Sequence, residues 1–229
     1  MTNVFKGFGP ALRFLEELSY NNDRAWFEEH KARYEDEVRE PARAFVRAMA
    51  PFLARVSKEF RADDRKVGGS IMRIHKDVRF SRDKSPYKTN LGIQFRHRAC
   101  GDVHAPGLYI HIQPGQSFLG AGMWRPEPEP LQALRAAIAA SPSKWGAVVK
   151  AATSTGEWRP AGASLKRPPR GFAPDHPAIE ELKRTDFIVD LPLKATEVRD
   201  RGLVASVARR FARVGPYLKF QCAALGVDF

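Results

Sequence analysis

Apolar residues in the first quarter of the chain recur at spacings of three and four, which predicts amphipathic helices. Phe14, Leu15 and Leu18 mark a first helix, and Asn22 is a typical N-cap for the next. The apolar stripe that follows contains Trp26, Phe27, His30, Tyr34, Val38, Phe45, Met49, Phe52, Leu53, Val56 and Phe60. Residues 1–60 are therefore predicted to form a helical layer.

Strict alternation of apolar and polar residues begins after residue 68 and predicts half-buried strands. The clearest alternating positions are Leu91, Ile93 and Phe95, then Leu108, Ile110 and Ile112. Residues 71–75 alternate as well, and residues 117–124 and 187–193 are further strand candidates. Pro192 restricts the last of these to an edge or to a strand end.

The side chains on the polar face of these strands would converge if the strands share one antiparallel sheet. That face would gather Arg73, His75, Gln94, Arg96, Tyr109 and His111. Gly120 and Gly122 also share a face, where missing side chains allow the close approach of a ligand, of another backbone or of a packed helix.

The order of the predicted elements indicates one α+β domain over residues 1–229, since no repeat or linker divides the chain. We expect a mostly antiparallel sheet of about five strands, flanked by N-terminal and C-terminal helices. Residues 1–60 supply the helical layer, and residues 68–125 the strands and a basic loop. Residues 126–229 supply helices, a basic proline-rich loop, an edge strand and the C-terminal helix.

Residues 71–90, which we call the motif segment, hold six Lys or Arg residues, two Asp and one Tyr. Ser85 and Pro86 form a turn signal that folds this segment back on itself. Such a loop can bring acidic and basic side chains to one site. A surface ion-pair network is the alternative, although each exposed pair is worth only about 0–1 kcal/mol.

A second basic stretch lies at residues 165–176, where Lys166, Arg167 and Arg170 flank Pro168 and Pro169. Prolines exclude regular helix or central strand here and restrict the backbone. The stretch is consistent with an anion-binding lip or with a stiff crossing whose charges are solvated.

The chain carries a formal net charge of +12. Residues 1–59 hold equal numbers of basic and acidic side chains, so the excess lies in the later part. A positive field of this size attracts phosphates, nucleic acid or other anions. Tyr87, Tyr109 and Trp124 are candidate stacking groups for nucleic-acid bases, but no known nucleic-acid-binding motif is present.

The sequence predicts a cytoplasmic protein without a membrane segment, since no apolar run reaches roughly 18 residues and the start does not resemble a signal peptide. Cys100 and Cys222 lack the spacing of zinc ligands or of a disulfide framework, so we expect free thiols. Asp77 and Asp83 with His75 or His111 could hold a metal ion, but no ligand spacing supports such a site, and we predict none. The sequence identifies neither a cofactor nor an oligomeric state.

The motif segment resembles a bacterial family known as domain of unknown function number 2461, which carries the motif R-x-x-[RK]-D-x-R-F-x-x-D-K-x-x-Y. The matching residues are Arg73, Lys76, Asp77, Arg79, Phe80, Asp83, Lys84 and Tyr87. Residues 21–27, residues 165–172 and the pair His176-Pro177 also look similar. The resemblance spans nearly the whole chain; it implies that the motif segment is a site and implies no reaction.

These observations favour a binding protein or an enzyme for a small phosphorylated or carboxylated compound, rather than a nucleic-acid-binding module or a scaffold with a structural ion-pair network. Forked guanidinium groups suit phosphate oxygens. The predicted anion-binding residues are Arg73, Arg79, Lys84, Lys88, Lys166 and Arg167. The predicted proton-transfer groups are Asp77, Tyr87 and His111. We place Asp77 first, with a pKa lowered by the surrounding cations.

Overall fold

The computed structural model of the chain describes residues 4–99 and 105–229. Five strands form one antiparallel sheet with the order β1-β2-β3-β5-β4. Their bounds are β1 Leu91–Arg96, β2 Gly107–Ile112, β3 Phe118–Met123, β4 Arg159–Ala161 and β5 Phe187–Pro192. The α+β fold and the antiparallel five-stranded sheet predicted from the sequence are confirmed.

Helices precede the strands, separate β3, β4 and β5 from one another, and follow β5 along the chain. The N-terminal ones are α1 Gly9–Tyr20, α2 Arg24–Glu29, α3 Lys31–Arg33 and α4 Glu40–Val56, with a π-helix at Tyr34–Arg39 between α3 and α4. The later ones are α5 Pro128–Ala140, α6 Pro142–Thr153, α7 Ile179–Leu182, α8 Ala195–Arg199, α9 Leu203–Arg213 and α10 Gly215–Ala224. Asp23, rather than Asn22, caps α2, because its side chain accepts a hydrogen bond from the Trp26 N–H at 3.0 Å.

One face of the sheet packs on helices and forms the core. Phe95 on β1 contacts Phe211 on α9 edge to face at 6.4 Å, and Phe187 on β5 contacts Trp145 on α6 at 5.8 Å. The alternate residues that face this layer are Ile93, Phe95, Leu108, Ile110, Leu119 and Val189, all of them buried. Burying each such side chain stabilises the fold by about 1.5–3 kcal/mol, which fixes the opposite face as the one free for other uses.

The predicted strand at residues 71–75 is not regular. Ile71 forms a single bridge with Ile93 at the edge of β1, and the Met72 N–H donates to the Gly92 carbonyl at 2.9 Å. The chain then leaves the sheet, and His75 forms a single bridge with Tyr87. The motif segment pairs with itself because its turn folds it back, so its alternation does not continue the sheet.

The short strand β4 pairs with β5 over residues 188–190, so β5 lies between β3 and β4 rather than at an edge. Pro192, which has no N–H to donate, stands at the end of β5. Cys222 is buried on α10, and Cys100 lies outside the described residues. In residues 4–99 and 105–229, no helix has the length and apolar character needed to cross a membrane.

Candidate functional site

Strand register aligns one row of residues across the face of the sheet that is opposite to the core. Gln94 on β1 lies opposite Tyr109 on β2, Tyr109 lies opposite Gly120 on β3, and Gly120 lies opposite Asp190 on β5. Residues directly opposite each other on antiparallel strands have Cβ atoms about 4.5–5.5 Å apart. The large polar side chains of Gln94 and Tyr109 therefore lie in one row with Gly120, which has no side chain.

A hollow of about 470 Å³ lies over this row, and we call it the sheet cavity. Its size is within the range of small-molecule sites, which are apolar with a few polar groups that orient the ligand. The motif segment supplies one wall through Met72, Lys88 and Asn90. The remaining lining residues are Gln94, Gly107, Tyr109, His111, Phe118, Gly120, Ala121, Gly122, Trp124, Ile188 and Asp190.

The two glycines of β3 that line the sheet cavity differ in whether the backbone requires glycine at their position. Gly122 has a φ of +119°, and a Cβ there would lie 2.1 Å from the Phe187 carbonyl oxygen, so the backbone requires glycine. A Cβ at Gly120 would meet the Tyr109 Cβ at 3.6 Å, which is ordinary contact. The fold does not require glycine at position 120, and the missing side chain leaves the floor of the sheet cavity open.

Tyr109 and His111 form a hydrogen-bonded chain in the sheet cavity. The Tyr109 Oη lies 3.0 Å from His111 Nδ1, and His111 Nε2 lies 2.7 Å from Gln113 Oε1. Burial lowers the pKa of His111, opposed by its bond to Gln113, and burial raises the pKa of Tyr109 to about 12. Both groups are therefore neutral near pH 7. With Nε2 donating to Gln113, Nδ1 accepts the hydrogen bond from the Tyr109 hydroxyl.

Lys88 brings positive charge to the wall of the sheet cavity. Its Nζ donates to the Arg73 carbonyl oxygen at 3.0 Å, and in the part of the chain that the structure describes it forms no ion pair. Burial lowers the pKa of Lys88, with a further contribution from the nearby Arg73. The acidic lining residue Asp190 is already paired with Arg159, at 2.8 Å.

Contacts with the helical layer hold this part of the motif segment in place. The Asn22 Nδ2 donates to the Tyr87 carbonyl and the Asn22 Oδ1 accepts from the Tyr87 N–H, both at 3.0 Å. The Tyr87 ring is 3% exposed and stacks on Phe27 with a centroid distance of 4.1 Å. The Lys88 N–H donates to the Ile74 carbonyl at 2.8 Å. Lys88 therefore follows a residue whose backbone and ring are both fixed.

The predicted site residues Asp77, Arg79 and Lys84 lie outside the sheet cavity, on the exposed loop at residues 77–85. Arg79 donates to both Asp77 carboxylate oxygens, at 2.9 Å from Nε and 2.7 Å from Nη2. These bonds lower the Asp77 pKa to about 2, in the direction expected from the sequence. Lys84 Nζ donates to the Val78 carbonyl at 3.0 Å. This loop has the ion-pair arrangement that the sequence left open as an alternative.

Of the nine predicted site residues, Lys88 and His111 line the sheet cavity. Arg73, Lys166 and Arg167 are exposed and lie outside its lining, and Tyr87 is buried against Phe27. Three lining residues, Met72, Asn90 and Asp190, are not among the site residues predicted from the sequence. Alternation along β5 places Asp190 on the polar face, but only the pairing of β5 with β3 brings it to Gly120.

Among residues 4–99 and 105–229, no three His, Cys, Asp or Glu side chains are grouped closely enough to hold a metal ion. The polar groups of the sheet cavity can form hydrogen bonds with a ligand, and Lys88 can contact one negatively charged group of that ligand. His111 is the predicted proton-transfer group that the cavity contains.

Comparison with known families matches residues 10–220 to the conserved hypothetical proteins of domain of unknown function 2461. No curated protein and no solved structure matches the chain. The match covers most of the chain, including the helical layer, the motif segment and all five strands. The chain therefore belongs to the family of conserved hypothetical proteins called domain of unknown function 2461.

Proposed function

We propose that the protein binds a small organic anion in the sheet cavity. The apolar body of the ligand lies on the floor left open by Gly120, and its acidic group contacts Lys88. The Tyr109 hydroxyl donates its proton to His111, so its oxygen remains able to accept a hydrogen bond from the ligand, and His111 holds that hydroxyl in position. This proposal keeps the anion binding predicted from the motif segment and assigns it to Lys88 rather than to the loop at residues 77–85.

The observation that carries the proposal is the ammonium group of Lys88, which is partly buried at the wall of a mainly apolar cavity and has no ion pair in the described residues. Removing an ammonium group from water without a charged partner is unfavourable. A bound carboxylate or phosphate would offset this energy through a charge-assisted hydrogen bond, worth about 1.5–3 kcal/mol.

The test uses two fluorescent probes that differ in charge. The anion 8-anilinonaphthalene-1-sulfonate carries a sulfonate on an apolar body, and N-phenyl-1-naphthylamine has the same rings without the sulfonate. We expect Lys88→Met to weaken binding of the anion by about tenfold or more, since an ionic hydrogen bond is lost. Binding of the neutral probe is expected to change by less than about twofold, because the apolar floor is intact.

The matched control is Lys84→Met, which removes the same charge from the exposed loop and should leave both probes unaffected. Gly120→Val should weaken both probes, because its side chain occupies the floor of the cavity. Equal effects of Lys88→Met and Lys84→Met on the anion would contradict the proposal.

The affinity for the anionic probe should also depend on pH. The ammonium form of Lys88 binds the anion, so affinity falls as pH rises through the Lys88 pKa. Because burial lowers this pKa, the fall should come below the value of about 10.4 that is usual for lysine. The pKa of His111 is lowered and that of Tyr109 is about 12, so neither group titrates between about pH 7.5 and 10.

Probe titrations across that pH range measure the effect, with the neutral probe as the control for general unfolding. An affinity for the anionic probe that stays constant up to about pH 10, or a parallel loss of the neutral probe, would show that Lys88 is not the group responsible.

A further inference from the structure

A second hollow, of about 160 Å³, opens on the same face of β1. Its lining includes Arg61, Asp63, Arg65, Ser70, Arg96 and Arg98, and we call it the arginine cleft. None of these residues is among those predicted from the sequence to bind an anion. The arginine cleft therefore needs an explanation apart from the motif segment.

Among residues 4–99 and 105–229, the positive charge that lines the arginine cleft exceeds the negative charge that lines it. Asp63 is taken up by Arg65, whose Nε donates to the Asp63 Oδ2 at 2.7 Å. Arg61, Arg96 and Arg98 form no ion pair within residues 4–99 and 105–229. The Arg96 Nε is buried and has no hydrogen-bond partner there. A buried donor without a partner is unfavourable, and an anion in the cleft would supply one.

The backbone around the arginine cleft is held by several bonds. The Ser70 Oγ donates to the Arg61 carbonyl and accepts from the Asp63 N–H, both at 3.1 Å. The loop at residues 61–70 is joined to β1 because the Gln94 N–H donates to the Ser70 carbonyl at 2.8 Å and the Arg61 N–H donates to the Arg96 carbonyl at 2.9 Å. The arginines are thus presented from a fixed loop and a strand, which reduces the entropy lost on binding.

The arginine cleft and the sheet cavity are neighbours on one surface. Gln94 lines both hollows. Arg96 lies opposite Gly107 in the register of β1 and β2, and Gly107 lines the sheet cavity. A ligand whose body lies in the sheet cavity can therefore reach the arginine cleft past Gln94.

We infer that the arginine cleft binds a phosphate group, and that the ligand of the sheet cavity is a phosphate monoester whose organic body lies on the glycine floor and carries, besides the phosphate, the acidic group that contacts Lys88. Guanidinium groups bind phosphate through paired N–H donors, which a lone lysine does not offer. The second half of this inference rests on the proposed function, whereas phosphate binding by the cleft does not.

Isothermal titration with inorganic phosphate and with phenyl phosphate tests both halves. Inorganic phosphate should bind the wild-type protein, and Arg96→Met should weaken it by about tenfold or more, as expected for the loss of an ionic hydrogen bond. Arg98→Met should also weaken the binding of inorganic phosphate. Because Arg98 is exposed, this variant still tests the site if Arg96→Met does not fold. Arg82→Met, on the exposed loop at residues 77–85, is the matched control and should have no effect.

Phenyl phosphate should bind more tightly than inorganic phosphate by about tenfold, since its ring buries apolar surface. Gly120→Val should abolish that advantage and leave the affinity for inorganic phosphate unchanged. No binding of inorganic phosphate, or binding that neither Arg96→Met nor Arg98→Met weakens, would overturn the phosphate site. Phosphate binding without any advantage of phenyl phosphate would overturn the shared ligand.

These outcomes are separable from failure of the proposed function. That function fails if Lys88→Met leaves the affinity for the anionic naphthalene probe unchanged, whatever phosphate does in the arginine cleft.

Discussion

Alanine at position 122 is expected to destabilise the protein by about 3 kcal/mol or more, whereas alanine at position 120 should change its stability by less than about 1 kcal/mol. The two glycines lie on the same strand and line the same cavity. Their backbone conformations differ, since only Gly122 has a positive φ, of +119°. Comparing the stabilities of the two variants therefore distinguishes a glycine that the backbone conformation requires from a glycine that only shapes the cavity.

The expected difference follows from the atoms that a new Cβ would meet. At position 122 the Cβ would lie 2.1 Å from the Phe187 carbonyl oxygen and 3.1 Å from the Ile188 Cα. Both belong to β5, which pairs with β3 at this point, so relief of the clash must separate the two strands. At position 120 the nearest atom, the Tyr109 Cβ, is at 3.6 Å.

Urea unfolding followed by circular dichroism measures the two free energies of unfolding. We expect a large fall in the midpoint for Gly122→Ala, or loss of soluble protein, and a midpoint close to wild type for Gly120→Ala. Similar midpoints for the two variants would contradict the assigned backbone conformation of β3.

Local spacing in the sequence was enough to predict β1, β2 and β3, and also the face that β1 and β2 turn to the core. The shared face of Gly120 and Gly122 follows from the same period of two, and the structure shows that this face is open rather than packed on a helix. Register was not predictable, because the alignment of Gln94, Tyr109, Gly120 and Asp190 depends on pairing between distant strands.

Charge density alone did not distinguish paired from unpaired side chains. Asp77 and Arg79 are two residues apart and satisfy each other, so their prominence in the motif reflects a local ion pair in this structure. Lys88 is in the same segment but faces the sheet cavity without such a partner in the described residues. The distinction depends on the contacts with Asn22 and Phe27 that hold Tyr87, the residue before Lys88, and spacing in the sequence does not specify these contacts.

Replacing Asn22 by alanine is expected to destabilise the protein by about 2 kcal/mol and to weaken binding of the anionic probe. The Asn22 side chain makes two hydrogen bonds of 3.0 Å to the backbone of Tyr87, 65 residues along the chain. Loss of the side chain leaves a backbone N–H and a carbonyl without these partners. Lys88 comes next in the chain, so its ammonium group would no longer be held at the cavity wall.

Asn21→Ala is the matched control for this prediction. The Asn21 side chain donates to the Glu17 carbonyl at 2.9 Å in an exposed position, so its loss should change stability by less than about 1 kcal/mol.

Asn22→Asp is a sharper test, because a carboxylate keeps an acceptor for the Tyr87 N–H but turns a second acceptor toward the Tyr87 carbonyl. Urea unfolding and probe titration of the three variants should rank Asn21→Ala as the mildest change. Equal stability of Asn21→Ala and Asn22→Ala would contradict the role of Asn22. If Asn22→Ala lowered stability and left the affinity for the anion unchanged, Asn22 would stabilise the fold without positioning Lys88.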